Sequence, residues 1–95
     1  MKLRYERGAY SDLDEIFWHV ATDNPDAARR LIDRIEEVAK LIASLPLIGQ
    51  KVRNSRFRWF RVEKYLIVYE VLEDEVIIHY VRHGARSRPW EGKKK

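Results

Sequence analysis

Ninety-five residues, 45% of them apolar and 36% charged, are expected to fold as one globular domain with a single, marginal core. No stretch reaches the roughly 18 apolar residues of a membrane span and no signal peptide precedes the first strand, so a cytoplasmic protein without membrane contact is expected. Cysteine is absent, which excludes disulfides, thiol nucleophiles and the usual structural zinc sites.

The charge of +4 is unevenly spread. Residues 1–49 carry seven Lys/Arg against nine Asp/Glu, and residues 50–95 carry twelve against six. An anionic partner would therefore be drawn to the second half. Lys2-Leu3-Arg4-Tyr5 alternates polar and apolar side chains, the period of a short half-buried strand, and Gly8 is read as its break. Ser11-Asp12-Leu13-Asp14 then has the look of a capping box, with carboxylates favouring the positive end of a helix dipole. Leu13, Ile16, Phe17 and Val20 recur at i, i+3, i+4 and i+7, which predicts a first helix to about Thr22. Trp18 and His19 lie beside that stripe, and Trp18 is large enough to be a contact surface if exposed.

Asp23-Asn24-Pro25-Asp26 punctuates the chain: Asn24 can cap, and Pro25 suits a first helical position that has no amide to satisfy. Ala28, Leu31, Ile32, Ile35, Val38, Ala39, Ile42 and Leu45 trace one apolar face of a second helix, which Pro46 stops. So short a link predicts an antiparallel helical hairpin. Leu47 to Ser55 reads as a loop turned by Gly49, with Lys51, Arg53 and Arg56 supplying charge.

Three strand patterns follow: Phe57 to Val62, Tyr65 to Leu72, and a run of about seven residues from Val76 that ends before Gly84. The links Glu63-Lys64 and Glu73-Asp74 are too short for anything but antiparallel neighbours, so these strands form a meander. The economical arrangement puts the helical hairpin on one face of the sheet. The expected fold is α+β, β-α-α-β-β-β, a single domain over residues 1–95 with 93–95 as a disordered tail. The other sheet face is expected to stay partly open, a shallow concavity rimmed by arginines. Which face the helices cover stays open, because the last two strands are apolar on both sides.

No Gly-rich phosphate loop or serine nucleophile elbow is present, and neither a metal nor a cofactor is expected. Among the histidines, His83 sits at the end of a strand, where a proton-transferring group would be held rigidly. It would equally serve by holding a backbone carbonyl. Arg58, Arg61 and Arg86 form a more coherent set, suited to forked contacts with phosphate or carboxylate. Arg58 and Arg61 are three apart and so face opposite ways unless a bulge intervenes. Internal pairing with Glu63, Glu70 or Asp74 is the competing role.

Five segments together resemble the RelE/ParE toxin superfamily of bacterial toxin–antitoxin systems, in particular its ParE branch. They are Ala9-x-x-Asp12-Leu13-x-x-Ile16, Asn24-Pro25-x-Ala27-Ala28, Leu45-Pro46-x-x-Gly49, Arg58-x-x-x-Val62-x-x-Tyr65-x-Ile67-x-Tyr69 and Val81-x-His83-Gly84-Ala85-Arg86. The resemblance implies a toxin neutralised by a cognate antitoxin in a hetero-oligomer. ParE-type members poison DNA gyrase, whereas RelE-type members cut messenger RNA on the ribosome. For the target, it directs attention to Arg58, Arg61, His83, Arg86, Arg88 and Trp90; for the antitoxin, to Phe17, Trp18 and Val20. In a nuclease reading Arg61, His83 and Arg86 would be the catalytic group, but the RelE tyrosine beyond the last strand has no counterpart here. A degenerate toxin that keeps only antitoxin binding is a further alternative.

Overall fold

The computed structural model describes residues 1–84, so Arg86, Arg88, Trp90 and the Lys93-Lys94-Lys95 tail lie outside the described residues. Its elements are β1 (Lys2–Tyr5), α1 (Arg7–Ala21), α2 (Pro25–Ser44), β2 (Gln50–Lys51), β3 (Phe57–Val62), β4 (Tyr65–Val71) and β5 (Glu75–His83). They form a five-stranded sheet in the order β1-β5-β4-β3-β2 with both helices packed on it. The expected meander is β3-β4-β5, antiparallel throughout. Beside it, β1 runs parallel to β5, a pairing that the long intervening chain, both helices and β2 to β4, allows. The stretch read as a loop contributes β2, two residues paired to Trp59 and Arg58.

The two helices begin differently. In α2 the sequence signals hold: Asn24 accepts from the Ala27 amide at 3.0 Å, and Pro25 occupies the first position. In α1 the expected capping box is absent. The helix starts at Arg7, one turn earlier, with extended Glu6 at its cap, no side-chain cap and no acid in its first turn. The cause is tertiary: the Glu6 amide bonds Ile78 O at 2.9 Å, which ends β1 there and turns the chain directly into helix. Gly8 is thus a residue of the first helical turn, and Asp12 is released from capping.

The helices cover the face that carries Phe60, Val62, Tyr65, Ile67, Tyr69, Val76, Ile78 and Val81, packed by Ala9, Leu13, Ile16, Ile35, Val38, Ala39 and Ile42. Ile78 and Val81 are three apart yet share this face because β5 carries a bulge. Val68 pairs with Tyr80 and Tyr69 with Ile78, so His79 is the inserted residue. The second face is not an open concavity at its centre: Leu66, Val68 and Ile77 are 0, 1 and 4% exposed. Val68 is the direct register partner of Trp59 on one side and of Tyr80 on the other.

Candidate functional site

At the C-terminal end of β5, a cleft of about 460 Å³ opens between that strand and α1, lined by Asp12, Glu15, Ile16, His19, Tyr65, Val81, Arg82 and His83. It exists because β1 is only four residues long and pairs no further along β5 than Ile78. Beyond that point Asp12 takes the place of a strand, its Oδ2 accepting from the Val81 amide at 2.9 Å with Arg82 Nε 3.4 Å away. Burial pushes the Asp12 carboxyl above its ordinary value, outweighing the amide and the guanidinium, which act the other way. Asp12 and Asp14, two apart on a helix, do not face one another.

His83 stands across from Tyr65 with the rings edge to face, centroids 5.5 Å apart. Arg82, across from Leu66, lies over the Tyr80 ring at 4.9 Å. Arg61, also across from Leu66, is exposed and donates to Glu63 O at 3.2 Å. Arg61 and His83 therefore share one end of the sheet but lie on opposite faces. Gly84 closes that end, its amide bonded to Lys64 O at 2.8 Å. It does not use glycine's positive-φ freedom; a Cβ there would come within 3.3 Å of Arg61 Nη2.

Arg58 lies elsewhere. It is across from Tyr69, on the helix-covered face, and donates to Gly49 O at 2.9 Å. Tyr69 Oη accepts from the Gly49 amide and donates to Pro46 O, both at 2.8 Å. A Cβ on Gly49 would collide with that hydroxyl and come within 2.8 Å of Trp59 O. Leu45-Pro46-x-x-Gly49 and Tyr69, two segments of the resemblance, are thus halves of one latch. Arg58 completes it and does not join Arg61 or His83.

Sequence reasoning missed a second cluster on the face away from the helices. Bulging brings His79 Nε2 to 2.8 Å from Glu70 Oε1, while Glu70 Oε2 takes Arg56 Nε at 2.9 Å. Phe57 lies edge-on to His79 at 5.1 Å and beneath Arg56 at 5.3 Å. Only the bulge, invisible in the alternation of β5, could have announced it.

Among the described residues, exposed apolar side chains also occur on α1 and around the end of α2. On α1, Trp18 is 63% exposed and edge-on to half-buried Phe17 at 5.1 Å, with Val20 half-buried nearby in sequence. Leu41, Leu45, Leu47 and Ile48, at the end of α2 and after it, are also exposed. Leu45, expected in the core face, is instead the C-terminal cap residue. Among the described residues no group of three or more potential ligands gathers to hold a metal, and no helix is long and apolar enough to cross a membrane.

A two-helix hairpin on a mixed five-stranded sheet, latched through Tyr69 and closed at the end of β5, defines a small RelE/ParE-type domain. The family model of the ParE toxin of type II toxin–antitoxin systems (parDE) matches residues 3–88, and the chain belongs to that family. It is 29% identical over 90 residues, 93% of each chain, to a Sinorhizobium fredii (strain NBRC 101917 / NGR234) protein named "Putative toxin Y4kP". Among solved structures, a chain of the chromosomal ParDE system from P. aeruginosa superposes with a TM-score of 0.77 at 24% identity, over 87% of this chain and 95% of that one. The RelB–RelE antitoxin–toxin complex from Methanococcus jannaschii gives 0.54 at 24% identity, over 84% and 88%. These structural likenesses concern the fold.

Proposed function

We propose that this ParE-family toxin inhibits DNA gyrase and is held silent in the cytoplasm by a cognate antitoxin within a hetero-oligomer. The observation that carries the reading is the match of the ParE toxin model across residues 3–88, nearly the whole chain. Antitoxin docking is supported by the exposed Trp18 and its edge contact with Phe17, with Val20 on the same helix. A large aromatic left in water on a small domain is what a partner helix or strand would cover. For the target, the reading assigns the end of the sheet bearing Arg61 and His83, continued in sequence by Arg86, Arg88 and Trp90. Arg58 is the weaker member of that set because it is engaged with Gly49 O.

The ribonuclease alternative has less support. Arg61 and His83 lie on opposite faces of the sheet, and a general acid or base must reach the same phosphodiester that the cation steadies. Induction without antitoxin, followed by a supercoiling assay with purified gyrase, tests the proposal. Growth arrest with impaired supercoiling is expected. Cleavage of translated messages with supercoiling intact would replace gyrase by the ribosome. Unimpaired growth would leave a degenerate toxin that retains only antitoxin binding.

A further inference from the structure

From Val38 to Val62 the chain contains no Asp or Glu but six cations: Lys40, Lys51, Arg53, Arg56, Arg58 and Arg61. The fold collects three of them, Lys51, Arg53 and Arg56, on the β2–β3 hairpin at the sheet edge opposite β1, all of them exposed. This hairpin is tightly pinned. Val52 N–H bonds Phe57 O at 2.9 Å, the Ser55 amide and hydroxyl both donate to Val52 O, and the Phe57 amide donates to Ser55 Oγ at 3.0 Å. Asn54 takes a positive φ of 59° to close the turn, a region that asparagine tolerates better than most residues.

Val52 is 5% exposed and Phe57 half-buried, so the tip between them offers a partner only polar and cationic groups. Arg56 is held at Nε by Glu70, itself held by His79, which fixes the guanidinium on the hairpin with 69% of the side chain exposed. Lys51 and Arg53 have no carboxylate partner among the described residues. A rigid tip bearing cations, without an apolar anchor, suits a partner recognised by charge density. An acidic polypeptide would want apolar pockets as well, and a single strand would want a free aromatic platform. Duplex DNA, with one phosphate charge per roughly 1.7 Å of axis, needs neither.

We propose that the β2–β3 hairpin is a sequence-independent binding site for the backbone of double-stranded DNA, contacting phosphates through Lys51, Arg53 and the outer edge of Arg56. The site lies at the start of β3, roughly 15–20 Å along the strand from the end that carries Arg61. It does not depend on which protein the toxin inhibits. Such contacts would place the toxin on DNA and leave its other surfaces for a protein.

Fluorescence anisotropy with a labelled 20-base-pair duplex tests this, using the full-length toxin and a Lys93→Ala/Lys94→Ala/Lys95→Ala variant that removes the tail's own attraction. Binding at low salt is expected in both, with log affinity falling linearly against log salt concentration. Lys51→Ala/Arg53→Ala should weaken binding and lower that slope by about 2, one unit for each lost phosphate contact. The melting temperature should stay the same, since both side chains are exposed. No binding by the tail variant at low salt, or an unchanged slope in Lys51→Ala/Arg53→Ala, would overturn the proposal. So would equal competition by polyglutamate at matched charge, or tighter binding of a single strand than of the duplex.

Discussion

Tyr69 holds the turn after α2 through one hydroxyl, which accepts from Gly49 and donates to Pro46. Burial pushes its phenol pKa up, the Gly49 amide and Arg58 acting against it. Tyr69→Phe leaves the Gly49 amide unpaired in a buried place, so a loss of about 1–3 kcal/mol is expected from urea denaturation. A loss within error would mean that the turn holds itself. Asp12 carries a prediction with a pH signature. Its native carboxyl keeps a proton to higher pH than the ordinary value of 3.8, so the native state binds more protons than the unfolded chain in that window. Its contribution to stability therefore falls as pH rises from about 3.8 through the native pKa. Asp12→Asn keeps an acceptor for Val81 but does not titrate. Its stability relative to the parent should rise as pH is taken from about 3.5 to about 6. A difference flat with pH would show that Asp12 titrates as in the unfolded chain.

At the scale of elements, α2 is the most legible part of the chain. Its cap, its proline and its apolar stripe all lie within one segment, so local chemistry and burial agree. Ile35 is fully buried at the middle of that stripe. Ile35→Ala should cost about 2–5 kcal/mol, measured by thermal or urea unfolding, and in so small a domain this can unfold it outright. A mild effect would mean that the surrounding side chains collapse into the space. α1 was less legible because its start is fixed by Ile78, more than seventy residues away, and not by its own first turn. β5 misleads in the same way: a strict two-residue period would put Ile78 and Val81 on opposite faces, and the bulge at His79 places them together.

For the whole molecule, the arrangement separates stability from recognition. The core lies between the helices and one sheet face, whereas Trp18 stands outside it on α1. Trp18→Ala should leave the unfolding free energy within about 0.5 kcal/mol of the parent, as surface changes usually do. If Trp18 anchors the antitoxin, the same change should weaken that complex by at least about 2 kcal/mol in a calorimetric titration. A stability loss without an affinity loss would make Trp18 a packing residue instead. The distribution of the arginines follows the same logic. Arg58 serves the latch and Arg56 is tethered to Glu70, while Arg61 remains exposed at the far end of the sheet.

By itself, the sequence determined α2, the helical hairpin, the antiparallel meander and the family, because periodicity, caps and short links act over a few residues. It did not show β2 or the start of α1. Spacing alone also separated Arg58 from Arg61, since a regular strand turns residues three apart to opposite faces. Only the tertiary structure decided which sheet face the helices cover, that Asp12 seals the edge of β5, and that Glu70 and His79 meet. Each of those depends on register between distant strands, and one inserted residue, His79, is enough to change it.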